Sequence, residues 1–332
     1  MKKDGVMNLF VFLIFYITFY IISIPIHELG HLVFGLLTGS RFSSFRVLSF
    51  VWFKENGKLR FKNSGSRFML GQCLMAPPAN EADFRFVLYN LGGGIFNLLT
   101  VAILFGIAAL TGGLSAALFA GMLASAVTAL MNLIPMTVQV PNDGMNVVKA
   151  LQSPEARHGL YMMMLVNEQM MNGKRFRDYD ERCFTPPPHA SLRNHFTAYI
   201  LICDAARLYD LGQYEACIEK YNALDLNKLP SYFKKSIQLD VLYHCCVHKP
   251  DYDKAREIYA QRGMKKYLEA PLPMITRVHA AYEFFVCGDR EKAAESLTKA
   301  KVQIENFPNK GFQLMEQDYL DHLEKLMQEQ PR

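Results

Sequence analysis

Apolar and polar positions follow two different patterns along this 332-residue chain. In the first 142 residues the apolar positions run together. Residues 6–26 carry no charged side chain over 21 positions, and residues 86–142 carry none over 57. About 20 apolar residues cross the hydrocarbon of a bilayer as a helix. The first run therefore predicts one membrane helix, roughly 6–38. The second predicts two more, parted at Thr111-Gly112-Gly113 and ending near Met131. Between the runs, residues 45–53 and 58–62 flank Asn56-Gly57, the signature of a β-hairpin. Beyond Asp143 charges return, and apolar residues recur at helical spacing.

The later part also repeats. Gly212, Tyr214, Cys217 and Tyr221 return as Pro250, Tyr252, Ala255 and Tyr259, then as Gly288, Arg290, Ala293 and Leu297, both offsets being 38. A turn residue, a small residue five later and a bulky one nine later predict a helix–turn–helix unit whose small residue admits the partner helix. These units resemble tetratricopeptide-type repeats, although they are longer than the standard period and lack most of that signature. The resemblance implies a docking surface for a protein partner. Thr185-Pro186-Pro187-Pro188 cannot continue a helix and predicts a linker before the repeats. Upstream of it, Met162-Met163-Met164 and Met170-Met171 predict an amphipathic, methionine-rich helix; one role for it is to line a substrate groove, and the expected one is to pack on the membrane surface or the next domain, methionine being a common gap filler.

The first helix carries the chemistry. It contains His27-Glu28-Leu29-Gly30-His31, placed directly after the uncharged run, with Pro25 predicting a kink beside it. Histidines four apart share a helix face and can reach one metal, and the adjacent glutamate is placed to take a proton from water. Ionisable groups inside a membrane helix are costly and are functional by default. A third ligand is needed. A metzincin-type continuation would require glycine at Phe34 and histidine at Leu37, and Glu55 falls in the hairpin turn. Asp143 is the only carboxylate between Asp83 and Glu155 and is the better candidate; the competing role for it is a cap on a helix starting near Gly144. Neutral Asn142 is a weak donor and is expected to be dispensable.

At these residues the chain resembles the site-2 protease family of intramembrane zinc metalloproteases, over roughly residues 5–150. The His27-Glu28-x-x-His31 helix is followed by an Asn132-x-x-Pro135…Asp143-Gly144 element, as in the family, although the 11 residues from Asn132 to Asp143 exceed the family's common spacing. The resemblance implies Zn2+ held by His27, His31 and Asp143, with Glu28 as the catalytic base. It also implies a substrate contact by Asn132 and a site role for Asn97, in the Gly92-Gly93-Gly94-Ile95-Phe96-Asn97 stretch, whose amide could bond a substrate backbone, zinc-bound water or a neighbouring helix. The hairpin matches the family's re-entrant β-loop, partly buried in the membrane. For the glycines themselves, close helix packing is the expected role.

Charge sets an expected topology. Arg41, Arg46, Lys54, Lys58, Arg60, Lys62, Arg67 and Arg85 all follow the first helix, so the hairpin is expected on the cytosolic side with the N-terminus outside. Met1-Lys2-Lys3 before an apolar run could open a signal peptide, but no A-x-A-like site follows, and an uncleaved helix is expected. The formal charge of +5 gives no reason to expect nucleic acid. Seven cysteines without C-x-x-C spacing predict reduced thiols, no disulfide framework and no second metal site.

The expected architecture is thus an α-helical membrane protein with three parts. Residues 1–150 form a three-helix transmembrane metalloprotease core with a re-entrant β-hairpin. Residues 151–188 form a juxtamembrane segment and linker, and 189–332 a soluble all-α helical-repeat domain. The expected activity is zinc-dependent hydrolysis of a membrane-anchored peptide substrate in the multi-pass cell membrane of a prokaryote, with the repeats cytosolic. Membrane-anchored regulators, signal-peptide remnants and pheromone precursors are the substrate types the family implies. The alternative is a non-proteolytic zinc-binding membrane scaffold that recruits partners through its repeats. A transporter is disfavoured because three spans carry no inverted repeat.

Overall fold

Helix α1 (Lys2–Leu37) runs without interruption through Pro25 and ends at Gly39, where φ is +85°. It opens a computed structural model that describes residues 2–63, 70–138, 140–185 and 190–329, with side chains described from Leu9 onward. Arg67 of the basic group and Pro186, Pro187 and Pro188 of the expected linker lie outside the described residues. The chain divides into two units, Met1–Glu168 and Gln169–Arg332, so the segment 151–188 is shared between them.

In the first unit α1 is followed by four strands, β1 (Arg41–Val47), β2 (Phe50–Glu55), β3 (Lys58–Asn63) and β4 (Gly71–Ala76), which form an antiparallel sheet in the order β3-β2-β1-β4. The single hairpin expected from the sequence is therefore half of a sheet. Asn56-Gly57 does turn β2 into β3, with φ of +49° and +80°, as a tight hairpin requires. The expected strand over 45–53, however, is broken at Leu48, which takes φ +54° and lets Val47 pair with Phe50. Positive φ is costly for a bulky residue such as Leu48, and Ser49, although common in turns, stands inside an apolar run, so the local sign of this turn is weak.

Three helices complete the apolar part with α1: α2 (Phe86–Leu110) and α3 (Ala116–Leu133) pack on it and on each other, and short α4 (Asp143–Ala150) packs on α2 and α3. Three segments, Leu9–Leu37, Glu81–Leu110 and Ala116–Leu133, are long and apolar enough to cross a membrane. Their burial is inverted relative to a water-soluble bundle. Leu9, Phe10, Ile17, Phe105 and Leu110 face outward, while α2 buries Asn90, Gly92, Gly93, Gly94 and Asn97. Small and polar residues inside with large apolar ones outside is the pattern of helices surrounded by lipid. Gly30 and Gly92 mark the α1–α2 crossing: a Cβ on Gly30 would lie 2.2 Å from the Gly92 carbonyl oxygen. Helix α5 (Pro154–Met171) follows α4.

Among its described residues the second unit contains helices and no strand. Helices α6 (His195–Asp210), α7 (Tyr214–Asn222), α8 (Ser231–Val247) and α9 (Tyr252–Ala260) form two antiparallel pairs, α10 (Met264–Leu268) intervenes, and α11 (Pro273–Phe285) and α12 (Arg290–Glu305) form the third pair. Helix α13 (Lys310–Glu329) closes the stack against α11 and α12. The repeated small residues Cys217, Ala255 and Ala293 are all fully buried, so each second helix sits close on its partner. At the centre, Arg277 donates twice to Glu316, at 2.8 and 3.2 Å, and lies over the rings of Tyr243 and Tyr319. All seven cysteines are free thiols.

Candidate metal centre

The helical spacing of His27 and His31 puts both imidazoles on the face of α1 that meets α2. Their outer nitrogens are held there. His27 Nδ1 lies 2.8 Å from the Asn97 amide oxygen, and the Asn97 amide nitrogen donates to the Ser23 carbonyl at 3.1 Å. His31 Nδ1 donates to the Tyr89 carbonyl at 2.8 Å, since a carbonyl can only accept. Both protons therefore sit on Nδ1, and both Nε2 lone pairs point to a common place.

Asp143 reaches that place from α4. Its Oδ2 lies 3.0 Å from His27 Nε2 and 3.3 Å from His31 Nε2, and the two Nε2 atoms are 3.1 Å apart. His27, His31 and Asp143 together could hold a metal ion. Three converging lone pairs would otherwise repel, and Gly93 leaves them room: a Cβ there would lie 2.5 Å from His27 Nε2 and 2.6 Å from His31 Nε2. This glycine serves the site, whereas the sequence suggested helix packing alone.

Asn142, expected to be dispensable, is what delivers Asp143. Its Oδ1 caps α4 by accepting from Met145 N–H at 2.9 Å and also accepts from Met136 N–H at 3.1 Å. Its Nδ2 donates to the Met131 and Ile134 carbonyls, both at 2.7 Å. The cap role considered for Asp143 thus belongs to Asn142, which leaves the aspartate's carboxylate free to face the histidines. These bonds also explain the long Asn132–Asp143 spacing. The chain after α3 loops out, bridges back at Thr137 and Pro141, and brings α4 against the end of α3, where a Cβ on Gly144 would lie 2.3 Å from the Leu133 carbonyl oxygen.

The His27–His31–Asp143 group opens into a cavity of about 550 Å³ that is also lined by Glu28, Asn132, Leu70 and residues 71–75 of β4. Glu28 is 8 % exposed and accepts a hydrogen bond from the Cys73 backbone N–H. Strand β4 comes that close only because residue 71 is glycine; a Cβ there would lie 2.5 Å from Glu28 Oε1. Tyr89 Oη donates to the Cys73 carbonyl at 2.9 Å and ties the strand to α2.

Asn97 is fully buried, with its oxygen on His27 Nδ1 and its nitrogen on the Ser23 carbonyl of the neighbouring helix, so it orients His27. Met163 and Met164 line the cavity, the less favoured of the two roles expected for them. Asn132 lines it too, with its amide nitrogen donating to the Thr128 carbonyl of its own helix.

No protein-family model, curated protein or solved structure matches this chain.

Proposed function

We propose that this chain is an intramembrane zinc metalloprotease of the site-2 protease type. The observation that carries the reading is the convergence of His27, His31 and Asp143 on one point of a cavity that Glu28 also lines. The donor set suits zinc, which favours imidazole nitrogen with a carboxylate oxygen and leaves a fourth position open at catalytic sites. Ligands ~2.0–2.1 Å from a tetrahedral ion lie about 3.3 Å from one another, close to the 3.0–3.3 Å separations here.

When bound, zinc would polarise the scissile carbonyl and make water acidic enough to attack near neutral pH. Glu28 takes the proton of the attacking water and returns it to the leaving amine as the C–N bond breaks. The Cys73 N–H holds the Glu28 carboxylate in place for both transfers. A helical substrate has its carbonyls already bonded, so it must unwind before attack. Strand β4 is at the edge of its sheet and borders the cavity, which suits it to pair with an unwound segment by strand addition. Asn97 and the Tyr89 carbonyl keep the imidazoles aligned throughout.

The setting is a membrane, with the sheet and the helical repeats on the cytosolic side. The exposed aromatic row of Phe50, Trp52 and Phe61 on the sheet supports contact with lipid. The repeats supply a surface for a protein partner. A zinc-binding scaffold without peptidase activity would have no use for Glu28 beside its metal.

The test is Glu28→Gln in cells, with released peptides and membrane proteome compared against the parent. The variant should keep its zinc and lose a defined set of cleavage products. Identical peptide profiles in parent and variant would leave the scaffold reading standing in place of the protease.

A further inference from the structure

Helix α5 contributes a wall to the cavity beside the His27–His31–Asp143 group. Leu160, Met163, Met164 and Asn167 line the cavity, spaced i, i+3, i+4 and i+7, so they form one face of the helix. Asn146 lines it as well, one turn beyond Asp143 on α4, so the amide and the carboxylate project to the same side. The Asn146 Oδ1 atom is buried and has no hydrogen-bond partner among the described residues. A buried acceptor without a donor is costly, and this one belongs to a residue that lines the cavity. Glu28 and Asp143 are the sole acidic or basic residues, histidines apart, among the described residues lining that space.

Resting on the proposed peptide hydrolysis, we propose that Asn146 and the cavity face of α5 form the subsite for the substrate residue next to the scissile bond. Asn146 Oδ1 accepts a peptide N–H of that residue. Leu160, Met163 and Met164 enclose its side chain, which is long and apolar. Methionine side chains adapt to leucine, methionine or phenylalanine alike. An acidic side chain would find no counter-charge and would be repelled by Glu28 and Asp143.

The test uses the full chain in detergent, loaded with zinc, and calorimetric titration with four probes. Acetohydroxamate reports the metal centre alone. N-acetyl hydroxamates of leucine, alanine and aspartate add one side chain and one peptide N–H. The leucine probe is expected to bind at least about tenfold more tightly than the alanine or aspartate probe. Met163→Trp, which fills the subsite, should weaken the leucine probe at least about tenfold with acetohydroxamate unaffected. Asn146→Leu, similar in size but without an acceptor, should weaken all three N-acetyl probes and spare acetohydroxamate. Equal affinity for the leucine and alanine probes, or variants that leave the leucine probe untouched, would overturn the subsite while the metal centre stands. Failure of acetohydroxamate to bind the parent would overturn the metal centre, and the subsite with it.

Discussion

The amide oxygen of Asn97 and Nδ1 of His27 meet at 2.8 Å, from helices 70 residues apart in sequence. Because the Asn97 amide nitrogen is committed to Ser23, only its oxygen can face the imidazole, and the imidazole proton is placed on Nδ1. Partners of this kind that orient a metal ligand are worth about 10–100-fold in metal affinity. Asn97→Leu should therefore lower zinc affinity by about that factor while α1 and α2 stay packed, as read by competition with a chromogenic chelator. Unchanged affinity would mean that the ring is oriented by something other than Asn97.

Gly93 should tolerate nothing larger. A single methyl group at this position would occupy space within 2.6 Å of both Nε2 atoms. Gly93→Ala is expected to lose most of its zinc in elemental analysis, whereas Gly106→Ala, with open space around its Cβ position, should keep it. Full zinc content in Gly93→Ala would show that the helices part to admit the methyl.

Asn142→Ala should disable the centre without removing a ligand. It takes away a helix cap, worth about 1 kcal/mol, and three further bonds that close the loop onto α3, each worth ~0.5–1.5 kcal/mol. Asp143 would then be poorly held, and zinc content and cleavage should both fall. Asn142→Ser keeps only the cap and should lie between the parent and the alanine variant. Parental zinc content in Asn142→Ala would show that Asp143 is positioned by α4 packing alone.

The repeat unit should depend on pH through Asp240. This carboxyl accepts from Tyr221 Oη at 2.8 Å, and burial pushes it up to about 6. The folded state therefore favours the protonated acid. The contribution is fully present below the ordinary value near 3.8 and is lost as pH rises through about 6. Asp240→Asn removes the buried charge at neutral pH, and should slow proteolysis of the repeat unit within the full chain at pH 7–8 with little effect at pH 4. The gain is bounded at roughly 2 kcal/mol, since the residue keeps some exposure to solvent. A variant that is less resistant than the parent at pH 8 would show that the charge is needed by a partner such as Arg277.

Much of the metal centre could be read from residue order. His27 and His31 declare themselves because their spacing alone puts them on one helix face, and an uncharged run on both sides makes their presence expensive. The three long apolar helices follow from run length, the Asn56-Gly57 turn from the backbone angles those two residues tolerate, and the helix pairs from a 38-residue period. Each is a local property, set within a few turns of the chain.

What remained hidden depends on distance in space. The turn at Leu48 exists because β1 pairs antiparallel with β2, and Leu48 itself disfavours the positive φ that this needs. Asp143 and Asn142 are neighbours whose roles divide only when the loop closes on α3: the asparagine takes the cap and the loop carbonyls, and the aspartate is left for the histidines. For Asn97 a substrate, zinc-bound water and a neighbouring helix all stood open, because an amide's partner is decided by what the fold brings within about 3 Å. The same holds for α5, whose methionines read in sequence as filler or groove and become a cavity wall because residues of α1, α4 and α5 border one space.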